Sequence, residues 1–176
     1  SYPYGEKAMP FLYLFRVRLK TKKFIYFCKM KTKKLISLLT DYGFKVSFGP
    51  ENTLFLPTVL ALLIQSPIAL KEVKQMRNEF HSFVVSSRTG IYDVLCRDEN
   101  GTRYIIEMQV GNYDWLVERM LFYLTHLYVT QATKGKDGFS KMKPVYCICI
   151  STDNIFPQSE TFYNHFQFKN EDGSLV

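Results

Sequence analysis

Two acidic residues stand in apolar stretches on either side of a turn signal, Asn100–Gly101. Asp93 lies in the first stretch, Glu107 lies in the second, and Gln109 follows Glu107 by two positions. That spacing returns the Gln109 side chain to the same face of a strand as Glu107. A carboxylate in a strand interior costs free energy unless it is paired, hydrogen-bonded or bound to a cation. Two such carboxylates therefore indicate a metal site.

Two carboxylates and one amide suit a hard divalent cation. Mg²⁺ prefers oxygen ligands, commonly one or two carboxylates, and keeps several waters. Such an ion can activate a water and stabilise the charge that develops on a phosphodiester. The Gln109 amide takes up no proton near neutral pH, so its role would be to orient the attacking water or a phosphate oxygen. The competing interpretation makes the acids structural, paired with Arg97, Arg103 or Arg119, and the spacing favours neither interpretation.

The register of the hairpin decides whether the two acids can act together. A two-residue loop places Asp93 opposite Met108, and Asp93 and Glu107 then point to opposite faces of the sheet. A three-residue loop places Asp93 opposite Glu107, and it needs a left-handed residue at its end, a role that suits Gly101. A joint site, meaning one that uses both Asp93 and Glu107, requires this loop with an odd number of residues. We therefore predict that Gln109 and both acids lie on one face.

The surrounding elements predict an α/β protein with a mixed sheet. Residues 54–65 are strongly apolar with Pro57 near their start, which predicts a buried helix. Apolar residues recur every three to four positions over 113–133, which predicts a long amphipathic helix. The run 145–150 is almost continuously apolar and predicts a fully buried strand. With a further strand at 80–86 and the hairpin, the order is helix, three strands, long helix, strand.

The basic charge of the chain is concentrated near its N-terminus. Residues 1–40 have a net charge of +9 and residues 41–176 a net charge of −2, which together give +7. The overall charge is therefore a weak argument for nucleic-acid binding. Residues 1–29 show no helix or strand period, and they are either a basic arm on a phosphate backbone or an extension before a lysine-rich start at Met30. We favour the extension and expect the folded domain to span 30–176.

Several classes of protein are disfavoured by the sequence. No apolar run has the roughly 18 to 20 residues that a membrane span requires, and no signal-peptide pattern opens the chain, so we expect no membrane partner. Cys147 and Cys149 alternate in an apolar run, which favours buried thiols in a reducing cytoplasm. The three histidines lack zinc-ligand spacing, and no glycine-rich nucleotide-binding motif is present.

An ordered set of short segments resembles the PD-(D/E)XK nuclease family transposases, also called recombination-promoting nuclease or transposase-like proteins. The resemblance covers about residues 35–156. The segments that carry it are Thr40–Lys45 with Phe48–Gly49, Gly90–Val94, Gly101 with Glu107–Gln109, Arg119 with Tyr123, and Lys143–Tyr146. Each segment alone is weakly specific, but their order and spacing together are quite specific.

The resemblance implies a restriction-endonuclease-like core, with a mixed β-sheet flanked by helices, and cleavage of DNA that depends on Mg²⁺ or alternatively Mn²⁺. By position, Asp93 and Glu107 match the acidic metal ligands of the family. Gln109 stands where many relatives outside this family have lysine, so water activation would depend more heavily on the metal. Asp41 lies in the N-terminal motif and is a further candidate catalytic residue.

These inferences together predict a cytoplasmic, metal-dependent DNA endonuclease of mobile-element type. Family members usually continue past the position of Val176, so the nuclease-like domain at 30–176 is expected to be truncated at its C-terminus. The alternative is a catalytically inactive remnant that keeps the fold and acts as a DNA-binding or interaction module. The oligomeric state is not predicted.

Overall fold

The computed structural model describes most of the chain from residue 40 onward and three short segments before it. The described residues are 11–16, 28–29, 35–36, 40–49, 55–65, 70, 72–80, 90–111, 114–135, 137–161, 163–168 and 171–172. Their helices are α1 (Asp41–Ser47), α2 (Phe55–Leu63) and α3 (Leu116–Val129). Their strands are β1 (Phe11–Arg16), β2 (Cys28–Lys29), β3 (Leu35–Ile36), β4 (Val73–Gln75), β5 (Glu79–Phe80), β6 (Gly90–Ile91), β7 (Val94–Asp98), β8 (Arg103–Gln109), β9 (Val145–Ser151) and β10 (Tyr163–Gln167).

A six-stranded mixed sheet organises the described residues, with the strand order β10-β1-β9-β8-β7-β4. The hairpin strands β7 and β8 are antiparallel, whereas β8 and β9 are parallel. Parallel neighbours need a long crossover, and α3 supplies it between β8 and β9. The predicted α/β class with a mixed sheet flanked by helices is therefore confirmed.

Helices cover both faces of the sheet. On one face, Phe44 of α1 and Leu60 of α2 pack in a buried cluster with Ile106 of β8. On the other face, Met120 of α3 packs in a second cluster with Ile105 of β8. Strands that are buried on both faces need continuous apolar runs, which explains the composition of β8 and β9.

The alternation of β8 determines where its polar residues point. Successive side chains of a strand lie on opposite faces, so Glu107 and Gln109 share the face of Ile105. That face is covered by α3, since Ile105 clusters with residues of this helix. Both polar side chains are buried, at 5% exposed for Glu107 and 8% for Gln109. The sheet thus holds a carboxylate and an amide beneath α3.

The predicted helices and the predicted buried strand are confirmed with altered ends. The helix predicted at 54–65 is α2, with Pro57 in its first turn, and the strand predicted at 145–150 is β9. The helix predicted at 113–133 is α3, which begins only at Leu116 because Trp115 before it is left-handed, with φ at 67°. Of the strand predicted at 80–86, only residue 80 lies within the described residues, at the end of β5.

The N-terminal segment contributes one strand to the sheet. β1 pairs in parallel with β9 and antiparallel with β10. Most of the segment 1–29 lies outside the described residues, and so does the expected start at Met30. The boundary between an extension at 1–29 and a domain at 30–176 stays a prediction, and deletion can test it.

Candidate active site

The hairpin that joins β7 and β8 has the three-residue loop that a joint site requires. Val94 pairs with Ile106, and continuing this register by one residue sets Asp93 opposite Glu107. The loop ends at Gly101, whose φ of +89° lies in the left-handed region. The predicted odd-length loop is therefore confirmed, and the two-residue alternative is wrong.

The carboxylate of Asp98 stabilises this turn. It accepts hydrogen bonds from the backbone N–H groups of Asn100 and Thr102, both at 2.9 Å, and from the hydroxyl of Tyr104 at 2.9 Å. Asp98 is 6% exposed, so these three bonds replace the water that burial removes. The bond from Asn100 lies within the loop, and the bond from Thr102 connects the two ends of the three-residue loop. The side chain of Asp98 thereby favours the register that sets the two acids opposite each other.

Asp93 and Glu107 each hydrogen-bond to the backbone of the opposite strand. The N–H of Asp93 donates to Oε1 of Glu107 at 3.0 Å, and the N–H of Met108 donates to Oδ2 of Asp93 at 2.9 Å. These bonds fix one oxygen of each carboxylate. In the part of the chain that the structure describes, Oδ1 of Asp93 and Oε2 of Glu107 make no hydrogen bond. Each acid thus keeps one oxygen for a ligand.

The environment of this pair disfavours two negative charges. Burial, followed by the charge of Asp93, raises the pKa of Glu107 to about 8. Burial also raises the pKa of Asp93, against the opposing effects of its bond from Met108 and of the charge of Lys45. Desolvation and a neighbouring like charge both disfavour the ionised form of a carboxyl group. A cation between the two acids would compensate both effects.

The described residues do not support the competing ion-pair interpretation. Neither Asp93 nor Glu107 forms a salt bridge with an arginine within the described ranges. Arg103 instead donates to the hydroxyl of Thr130 at 3.3 Å, and Arg97 is exposed. The third candidate, Arg119, donates to the side chain of Gln109. The two acids are therefore left without a fixed counter-charge in direct contact.

Gln109 is held by a residue of α3. A guanidinium N–H of Arg119, at Nη2, donates to Oε1 of Gln109. The Nε atom of Arg119 is buried and has no hydrogen-bond partner among the described residues. The charge of Arg119 also lowers the pKa values of Asp93 and Glu107, although less than burial raises them. Arg119 therefore lies close to all three predicted residues of the hairpin.

Asp41 lies at the margin of the site on α1. Thr40 caps this helix by accepting a hydrogen bond from the N–H of Gly43 at 3.0 Å. Asp41 is exposed and forms an ion pair with Lys45 at 2.9 Å. It makes no hydrogen bond to Asp93, but its charge raises the pKa of Asp93. The structure thus brings Asp93, Glu107 and Gln109 together and leaves Asp41 outside their hydrogen bonds.

Lys45 is a basic residue near the site that the sequence analysis did not single out. Its charge lowers the pKa of Asp93, so it lies within electrostatic range of the acidic pair. The spacing of four residues between Asp41 and Lys45 on a capped helix was an available signal, because such residues face the same side. Lys45 is therefore a further candidate for contact with an anionic substrate.

The carboxylate oxygens at this site are suitable ligands for a hard divalent cation that keeps several of its water ligands. The described residues contain no group of three or more histidine, cysteine, aspartate or glutamate side chains that could enclose a metal ion. Asp93 and Glu107 offer two carboxylate oxygens, and Mg²⁺ commonly binds proteins through one or two carboxylates. His126 belongs to no such group among the described residues, and its Nδ1 is 3.2 Å from the hydroxyl of buried Tyr92. The assignment of Asp93 and Glu107 as metal ligands stays a prediction.

The fold and the acidic pair define an α/β protein of the restriction-endonuclease-like class. A family model described as PD-(D/E)XK nuclease family transposase matches residues 38–175. The chain therefore belongs to this family, and the resemblance inferred from its motifs is confirmed. Family membership makes it a nuclease-type domain. Searches of curated proteins and of solved structures find no match.

The described helices give no sign of a membrane span. None of them combines the length and the apolar character that crossing a bilayer demands.

Proposed function

We propose that this protein is a Mg²⁺-dependent endonuclease that hydrolyses phosphodiester bonds of DNA, with Mn²⁺ as an alternative ion. The observation that carries the proposal is the opposition of Asp93 and Glu107 across a three-residue hairpin, in a domain of a nuclease family. Both acids keep one oxygen without a hydrogen bond to a described residue, and both have raised pKa values. This is the condition expected of carboxylates that bind a cation.

Asp93 and Glu107 would hold the ion, and their reciprocal backbone bonds would orient them. A bound Mg²⁺ supplies a Lewis acid for water activation and for the charge that develops on the phosphodiester. The bonds from the N–H groups of Asp93 and Met108 restrain the two carboxylates before the ion binds. Preorganised ligands lose less conformational freedom on binding, which favours affinity.

The remaining candidates would act on the substrate. Gln109 lies two residues beyond Glu107 on the same face, so it would hydrogen-bond near the reacting phosphate. Asp41 and Lys45 are exposed on α1 within electrostatic range of Asp93. Lys45 would attract the DNA backbone, and Asp41 is proposed as a further participant at the margin.

We also propose that the protein acts in the cytoplasm as part of a mobile element.

Cleavage of supercoiled plasmid DNA in the presence of Mg²⁺ tests the proposal. We expect the protein to nick the plasmid, and Asp93→Asn and Glu107→Gln to abolish nicking. A matched control is Glu99→Gln, which removes an exposed acid from the loop of the same hairpin. Nicking that is equal in all four proteins would overturn the proposal. A wild-type protein that binds the plasmid without nicking it would instead favour the catalytically inactive DNA-binding alternative.

A further inference from the structure

We infer that Arg119 is a positioning residue that orients the Gln109 amide so that its NH₂ group donates to a phosphate oxygen of the substrate. The inference rests on the proposed function and assigns one of two roles to Gln109. As a hydrogen-bond donor, Gln109 binds the phosphodiester. As an acceptor, it would instead orient the attacking water.

The chemistry of the guanidinium group determines the orientation of the amide. Arginine carries five N–H donors and no acceptor. Because Nη2 of Arg119 contacts the side-chain amide of Gln109, the amide atom on that side must be the carbonyl oxygen. The opposite orientation would set two donors against each other. The carbonyl oxygen is therefore engaged by Arg119, and the NH₂ group points away from it.

The NH₂ group of Gln109 has no hydrogen-bond partner among the residues that the structure describes. Among the described residues, no hydrogen bond from Nε2 of Gln109 is formed, although the residue is only 8% exposed. The Nε2 atom is not among the fully buried polar atoms that lack a partner, so it keeps access to solvent and to a ligand. Gln109 shares its strand face with Glu107, so its amide lies beside a proposed metal ligand. An oxygen of a phosphodiester bound at this ion would supply the missing acceptor.

The positive charge of Arg119 favours an anionic acceptor over a neutral one. Its contact with Gln109 is to a neutral group, and it forms no salt bridge within the described ranges. Its buried Nε atom also lacks a hydrogen-bond partner there. Arg119 therefore places a positive charge next to the amide without a carboxylate in direct contact among the described residues. A phosphate oxygen that accepts from the Gln109 amide would be attracted by this charge.

Kinetics on a short DNA duplex test whether Arg119 acts through Gln109. We expect Arg119→Met and Gln109→Met each to lower kcat by about a hundredfold to a thousandfold, since the loss of one donor to a developing charge has effects of this size. The double variant should be no slower than the slower single variant, because both changes remove the same contact. Arg119→Lys, which keeps a charged donor, should recover part of the rate. Losses that multiply in the double variant would overturn the inference.

A second measurement is independent of cleavage. We expect the side-chain NH₂ resonances of Gln109 to shift when the duplex is added with Ca²⁺ in place of Mg²⁺, and Arg119→Met to abolish that shift. Retention of the melting temperature and of Mg²⁺-dependent stabilisation would show that the variants fold. A shift without cleavage by the wild type would contradict the nuclease proposal alone. Cleavage without a shift would contradict the role of Gln109 alone.

Discussion

The backbone N–H of Asp93 donates a hydrogen bond to the side chain of Glu107 at 3.0 Å, directly across the hairpin. The carboxylate of Asp93 in turn accepts from the backbone of the strand that carries Glu107, at Met108. The two acids thus replace ladder bonds just before the start of β7. This relationship places two desolvated carboxyl groups side by side, and it makes their charge states and their response to cations measurable.

The stability of the metal-free protein should fall as the pH rises. The pKa of Glu107 is raised from 4.5 to about 8 in the folded protein, mainly by burial. Between these values the folded state keeps a proton that the unfolded state has released, so the free energy of unfolding decreases with increasing pH. The contribution of neutral Glu107 is complete below pH 4.5 and is lost as the pH approaches 8. Urea denaturation in the presence of a chelator, at a series of pH values, measures this slope.

Glu107→Gln should flatten that dependence and raise stability near pH 8. Glutamine has a similar shape and stays neutral, so no buried charge forms. Glu99→Gln changes an exposed acid of the same hairpin and should leave the slope unchanged. A slope that survives in Glu107→Gln would assign the pH dependence to another group.

Mg²⁺ should raise the melting temperature of the protein, and more strongly at pH 8 than at pH 6. An ion that binds only the folded state stabilises it by mass action. Carboxylate ligands must lose their protons to bind a metal, so affinity rises as Glu107 ionises. Asp93→Asn should lose the response, and excess chelator should reverse it in the wild type. A response of equal size in Asp93→Asn would place the bound ion elsewhere.

Gly101→Ala should destabilise the hairpin by about 1–2 kcal/mol. The residue adopts a left-handed conformation, with φ at +89°, which costs about this much when a Cβ atom is present. The added Cβ would also lie 3.3 Å from Cγ of Lys143, a flexible side chain that can move. Gly101→Asn should lose less stability, since asparagine tolerates this conformation better than alanine. Thermal or urea unfolding compares the three proteins.

Deletion of residues 1–29 tests the expected domain boundary. We expect the shortened chain to keep its cleavage and its melting temperature, because the family match begins at residue 38 and the deleted segment shows no regular period. A loss of stability on deletion would have a clear structural cause. Loss of β1 would remove the partner strand of both β9 and β10 and expose their edges. A large drop in melting temperature would therefore contradict the boundary.

Much of the fold was predictable because it depends on local patterns. The apolar runs of α2, α3 and β9 each reflect burial of a helix or strand, so their type and approximate position followed from periodicity. The first and last residues of these elements did not follow from periodicity. Left-handed Trp115 delays the start of α3 to Leu116 without a side-chain cap, and the sequence pattern carries no signal for this. β4 pairs only three residues with β7, too few for a recognisable period.

The sequence by itself determined the chemical components of the site. Asp93, Glu107 and Gln109 stand in strand-forming stretches, and Gly101 permits the turn that joins them. The sequence did not determine the register of the hairpin, because a loop of two residues and a loop of three residues were both compatible with it. The tertiary structure decided in favour of three residues, with the turn held by the buried carboxylate of Asp98.

Only the tertiary structure placed Arg119 and Lys45, which lie outside the hairpin in sequence, near the hairpin residues. Arg119 contacts Gln109, and Lys45 comes within electrostatic range of Asp93, because α3 and α1 pack on opposite faces of the sheet. Such contacts depend on burial between elements that are distant in sequence, and local periodicity does not encode them. The sequence thus determined which groups could do chemistry, and packing determined which of them meet.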